Sequence, residues 1–133
     1  MGCDIHMVVQ FRKDGVWLDA PVVIAAPWGD PWWELRDYVT FGVLAGVRDK
    51  QVPRIADPRG FPEDFDNTVD PLALDAVHHG KWMGDHSFSW VTLAELKAVK
   101  GYARKMSLIP EWVPELERLG APEDVRIVFG FDS

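Results

Sequence analysis

Ile5, Met7, Val9 and Phe11 alternate with Asp4, His6, Val8 and Gln10, the pattern breaks at Lys13-Asp14-Gly15, and apolar residues resume at Val16-Trp17-Leu18. A period of two that closes on Asp-Gly predicts a β-hairpin, with Asp4 and His6 on the face opposite the apolar set. Residues 21–30 read as a loop or edge strand. Asp30-Pro31 then has the form of a helix start, an acidic cap before a proline at the first helical position, and the helix would carry Arg36, Tyr38, Phe41 and Leu44 as far as Gly46.

From Asp49 to Gly84 the punctuation of Val52-Pro53, Asp57-Pro58-Arg59-Gly60-Phe61-Pro62 and Asp70-Pro71 predicts little regular structure. His86-Ser87-Phe88-Ser89-Trp90-Val91 reads as a short strand, and Thr92-Leu93-Ala94-Glu95 matches the capping box of a second helix with Leu93, Leu96 and Val99 on its apolar side. A third helix is expected over 111–119, stopped by Gly120 and Pro122. Val125, Ile127, Phe129 and Phe131, alternating with Arg126, Val128 and Gly130, form a closing strand. The expected architecture is α+β: a small mixed or antiparallel sheet that includes the N-terminal hairpin and the C-terminal strand, packed with two or three helices. The two terminal strands are expected side by side.

The chain has 133 residues, the size of one domain, and the whole of 1–133 is read as a single α+β domain. With 47% hydrophobic residues it can bury a core, which excludes global disorder. Its 21 acidic against 14 basic residues give a net charge of -7. A long nucleic acid is a poor partner for such a surface, whereas a small phosphate ligand needs only two or three arginines. The single Cys3 excludes an intramolecular disulfide and a multi-cysteine zinc site, in keeping with a reducing compartment. No leader pattern or apolar span is visible, so the expected location is the cytoplasm, with no membrane partner. Seven tryptophans exceed the need of a core this small. Surface copies could stack on a nucleobase or bury against a second copy of the chain, so a homo-oligomer is also expected.

Candidate chemistry falls into two groups. Asp4 and His6 share a strand face, and Asp85 and His86 precede a second strand. A carboxylate beside an imidazole can orient it for proton transfer, and Asp4, His6 and His86 together could hold a divalent metal; a merely polar strand face is the alternative. Ser87, Ser89 and Trp90 add hydroxyls and an aromatic wall just before a helix N-terminus, an arrangement suited to an anion. The second group is basic: Arg48, Lys50, Arg54 and Arg59, with Arg36 before them. Arginine forks match phosphate oxygens, and Arg48 and Arg59 are the candidates for ligand binding. Charge balance at a helix end or in a turn is the plainer role. His78-His79 and the acids Glu63, Asp64, Asp66, Asp70 and Asp75 are read as solvated surface, and Cys3 as a buried or edge thiol. There is no P-loop, Rossmann glycine pattern, H-E-x-x-H or G-x-S-x-G.

Met1-Gly2-Cys3-Asp4-Ile5-His6, Leu44-Ala45-Gly46-Val47-Arg48, Pro58-Arg59-Gly60-Phe61-Pro62, Asp85-His86-Ser87-Phe88-Ser89-Trp90 and Arg126-Ile127-Val128-Phe129-Gly130-Phe131-Asp132 stand in an order that resembles a family of small uncharacterised phage and prophage proteins. The resemblance spans nearly the whole chain, with departures at Asp37, where members often carry Asn, and at Phe88, where they often carry His. It implies a phage accessory protein made in a bacterial cytoplasm, and by analogy one that counters host defence by acting on a nucleotide messenger. Three readings follow, the last being a structural phage protein whose histidines merely satisfy a core network. In the first the protein is a phosphodiesterase-like hydrolase, with His6 oriented by Asp4 and His86 as base and acid, and Arg48 and Arg59 stabilising phosphorane charge. In the second it is a non-catalytic nucleotide-sequestering protein or an acidic inhibitor of a host defence complex.

Overall fold

The computed structural model describes residues 2–20, 37–65 and 83–133. Strand β1 (Asp4–Lys13) turns back into β2 (Val16–Asp19) through Asp14 and Gly15, both left-handed at φ 53° and 78°. Two consecutive positive φ angles match the twist of the flanking strands, which is why Asp-Gly occupies this turn. Strand β3 (His86–Thr92) and the closing β4 (Val125–Asp132) complete a four-stranded antiparallel sheet of order β2-β1-β4-β3. The terminal strands are neighbours, as expected, in register from Asp4 opposite Asp132 to Phe11 opposite Val125. Central in this sheet, β4 is buried from Val125 to Phe131, which accounts for Val128 on the face that a one-sided strand would leave polar.

Helix α1 (Tyr38–Ala45) packs on one face of the sheet, with α2 (Leu93–Ala98), α3 (Gly101–Met106) and α4 (Ile109–Glu117). Phe41, Leu44, Leu96, Trp112 and Leu116 meet Ile5, Ile127, Phe129 and Phe131 in the main core. The opposite face carries a smaller cluster, in which Phe65 and Met83 close over Val128 with Phe61, Phe88 and Trp90 around them. Among the described residues no helix is long and apolar enough to cross a membrane.

The helical part differs from the sequence reading in two respects. Four α-helices are present among the described residues, because the apolar stripe of Leu93, Leu96 and Val99 is interrupted: Val99 is extended and Gly101 is left-handed at φ 68°, so the chain restarts as α3. Helix α4 begins at Ile109, ahead of Glu111, with Pro110 in its first turn, where a missing N–H leaves no bond unmade. The expected start at Asp30-Pro31, with Arg36, lies outside the described residues. The described α1 is capped by Asp37, whose carboxylate accepts from the Thr40 N–H at 3.3 Å and its hydroxyl at 2.6 Å. Gly46 stops it as anticipated, left-handed and donating to the Gly42 carbonyl.

Residues 49–65 contain no helix or strand, in line with their prolines. They are tied down by Arg59. Its guanidinium grips Glu95 at 2.8 and 2.5 Å, donates to the Trp90 carbonyl at 2.9 Å and lies 4.7 Å from the Trp90 ring centre, while its backbone N–H donates to Ser89 Oγ. Glu95 also completes the capping box with Thr92. Hydrogen bonding from Arg59 pulls the Glu95 carboxyl below the usual carboxylate range, and burial only partly opposes it. A depressed folded-state value means that this stabilisation is complete above the unfolded carboxyl range and is lost as pH falls through the folded value. Glu95→Gln should therefore lower stability by about 1 kcal/mol at pH 7. The gap between variant and parent should narrow in urea titrations as pH falls from 7 through the depressed folded value of Glu95, and a gap that is the same at every pH down to global acid unfolding would exclude the ion pair as its source.

Candidate functional site

The N-terminal end of β1, the C-terminal end of β4 and the start of β3 meet at one end of the sheet, and most of the sequence-predicted groups gather there. His6 lies opposite Gly130, and two residues along β4 on the same face stands Asp132. His6 Nε2 donates to Asp132 Oδ2 at 2.5 Å, a half-buried pair with side-chain exposures of 15% and 27%. The carboxylate that orients His6 is thus Asp132 across the sheet, whereas Asp4, expected in that role, sits opposite Asp132 at the neighbouring register position. A proton held at Nε2 makes Nδ1 the basic nitrogen of the ring.

His86 lies opposite Phe131, the residue adjacent to Gly130. Neighbouring residues of a strand face opposite ways, so the register puts His6 and His86 on opposite faces of the sheet end. His86 stacks near the Phe131 ring, with Nδ1 2.9 Å from Ser87 Oγ and Nε2 2.9 Å from Ser133 Oγ. Asp85 is 62% exposed and only 4.0 Å from that Nε2, so the serines hold the ring and Asp85 does not. The expected metal set of Asp4, His6 and His86 is not assembled: among the described residues no three His, Cys, Asp or Glu side chains converge to hold an ion. The opposite faces are the physical reason.

A close backbone crossing packs against the sheet end. The chain passes Met83-Gly84-Asp85 against β4, with the Asp85 N–H donating to the Phe131 carbonyl at 2.8 Å, and this approach requires glycine at both Gly84 and Gly130. The register of β3 slips between His86 and Ser89, and Ser87 within that bulge is left-handed at φ 57°. Among the described residues the other non-glycine residue outside the hairpin turn with positive φ is Arg48, at 67°. Such conformations are unfavourable for a side-chain-bearing residue and persist where the surroundings impose them.

Arg48 follows the C-terminus of α1, exposed, with its guanidinium 5.6 Å from the ring centre of Tyr38, whose hydroxyl accepts from the Cys3 N–H at 3.1 Å. It has no carboxylate partner among the described residues. Burial pushes the Cys3 thiol up; the nearby Arg48 pulls the other way and does not prevail, while Asp132 and Asp4 add to the rise. Cys3 is accordingly a protonated core thiol and not a nucleophile.

Three predicted ligand residues are elsewhere. Arg59, Ser89 and Trp90 form the latch described above, with the arginine charge taken by Glu95 and the indole face covered by Arg59. Trp17 is likewise occupied, by Arg126 at 4.1 Å, and Trp112 is core, while the other four tryptophans and His78-His79 lie outside the described residues. Asp64, read as solvated surface, is 59% exposed and also accepts from buried Arg126 at 2.9 Å. Asp132, Tyr38 and Ser133 escaped the sequence reading. Only Asp132 left a signal, since it continues the parity of Gly130 on a strand expected beside Asp4 and His6.

Comparison of the chain with protein-family models, with curated proteins and with solved structures gives no match.

Proposed function

We propose that this sheet end binds a small phosphate-bearing ligand of the nucleotide class, with Arg48 as the anion anchor and the His6–Asp132 pair as the group that transfers a proton to or from it. The observation that carries the reading is an exposed arginine with no acidic partner among the described residues, held in a left-handed backbone beside Cys3, with Asp4 and Asp132 close enough to influence the same thiol. In a chain with seven more acidic than basic residues, an arginine left without a carboxylate is a position where an external anion gains most. A histidine fixed by a carboxylate is the usual means of positioning a general base. A phosphodiesterase-like hydrolase is the reaction type that these groups suit, with His6 acting on water or on the leaving oxygen.

One observation favours sequestration over turnover. His86 is on the other face of the sheet, so the acid and base of a two-histidine mechanism do not flank one substrate. The setting we propose, a phage accessory protein that counters host defence, rests on the sequence resemblance alone.

The test is calorimetric titration with cyclic mononucleotides, cyclic dinucleotides and ADP-ribose, followed by product analysis. Arg48→Ala should weaken binding about tenfold, the effect of losing one charge-assisted contact. His6→Ala should retain binding and lose hydrolysis; intact ligand recovered from the wild type would select sequestration. Wild-type protein that binds none of these nucleotides would overturn the proposal.

A further inference from the structure

A cavity of about 350 Å³ opens on the helix side of the molecule, between residues 53–55 and the α2–α3 junction, apart from the sheet end. Its size is in the range of small-ligand sites. Ile55, Val99 and Ala103 supply apolar wall, and Arg54, Lys100 and Glu95 are its charged groups. Glu95 is already held by both Nη atoms of Arg59, so it does not oppose an incoming anion as a lone carboxylate would. Arg54 is engaged through Nε with Asp57, which is 78% exposed and hydrated. Lys100 is exposed, with no ion pair among the described residues, at the break where Gly101 turns the chain. The pocket thus combines an apolar floor with a cationic rim on a chain whose net charge is -7.

We propose that this pocket binds a small organic anion with an apolar body, its single carboxylate, sulfonate or phosphate head between Arg54 and Lys100 and its body on Ile55, Val99 and Ala103. Charge and shape both set the class: with Glu95 paired to Arg59 and Arg54 sharing its charge with Asp57, Lys100 is the lining cation without an ion pair among the described residues, which suits a single anionic head, and the apolar wall favours an aromatic or branched body over a sugar. The wall includes the chain break that splits the second helix, because the extended Val99 lines the cavity while also packing against the main core. The site is independent of the Arg48 and His6 reading.

The probe is 8-anilinonaphthalene-1-sulfonate, an aromatic monoanion whose fluorescence rises in an apolar site. Saturable one-to-one binding to the native protein is expected. Lys100→Glu should weaken it about tenfold, the equivalent of one lost charge contact. Ala98→Trp, which fills the pocket from its exposed rim, should abolish it, and Arg48→Ala should leave it unchanged. Far-UV circular dichroism is the check that each variant is folded. Absence of saturable binding, or binding that survives both Lys100→Glu and Ala98→Trp in folded protein, overturns the proposal, and so does loss through Arg48→Ala.

Discussion

Replacing Gly130 by alanine is expected to lower stability by about 3 kcal/mol, at the upper end for overpacking. A methyl group there would overlap the Met83 carbonyl oxygen and lie 2.7 Å from the Phe88 ring. Phe88 could rotate, but the Met83 carbonyl is main chain and cannot yield without moving the segment that leads into β3. That segment holds the Asp85 N–H on the Phe131 carbonyl, so the displacement also breaks a sheet-end hydrogen bond. Urea unfolding should show the loss of stability, and hydrogen exchange should show the Asp85 amide deprotected ahead of the β1–β4 ladder. A change below about 1 kcal/mol would mean that the crossing at Gly130 is looser than described.

The second large effect is at Arg126. Its side chain is buried, donates through Nε to Gln10 Oε1 at 2.8 Å and through Nη2 to Asp64 Oδ1 at 2.9 Å, and lies 4.1 Å from the centre of the Trp17 ring. Arg126→Leu should lower stability by about 2–3 kcal/mol. The two lost partners contribute unequally. Asp64 is 59% exposed and returns to water, whereas Gln10 is buried and its amide oxygen loses its donor. The double variant Arg126→Leu with Gln10→Leu should therefore lose less than the sum of the two single variants, since removing both members leaves no buried acceptor unpaired. Strict additivity in a double-mutant cycle would show that the arginine acts through packing alone.

Both effects arise on the face of the sheet that the hydrophobic pattern describes least well. Period-two alternation locates β1 and β4 and assigns Ile5, Val9, Val125, Ile127, Phe129 and Phe131 to the core, because one-sided burial writes itself into every second position, whereas the apolar Val16 and Leu18 of β2 are exposed. On β4 the rule weakens, since Val128 is buried with Phe65 and Met83 on the second face and Arg126 is buried there by an ion pair. A buried arginine and a solvated one are the same letter in a sequence.

Local chemistry was legible wherever partner and residue are close along the chain. The Asp14-Gly15 turn, the Gly46 stop and the Thr92–Glu95 capping box all follow from short-range sterics and hydrogen bonding. The sequence by itself also determined the α+β class and the neighbouring terminal strands, through strands at both ends and helices between them. Only the tertiary structure decided which groups share a site. Asp132 became the partner of His6, and Glu95 the partner of Arg59, across 126 and 36 positions of chain, and His6 and His86 fell on opposite faces. The reason is register: sliding β1 or β3 by one residue along β4 leaves every local preference intact, yet it exchanges the faces and replaces every cross-strand partner.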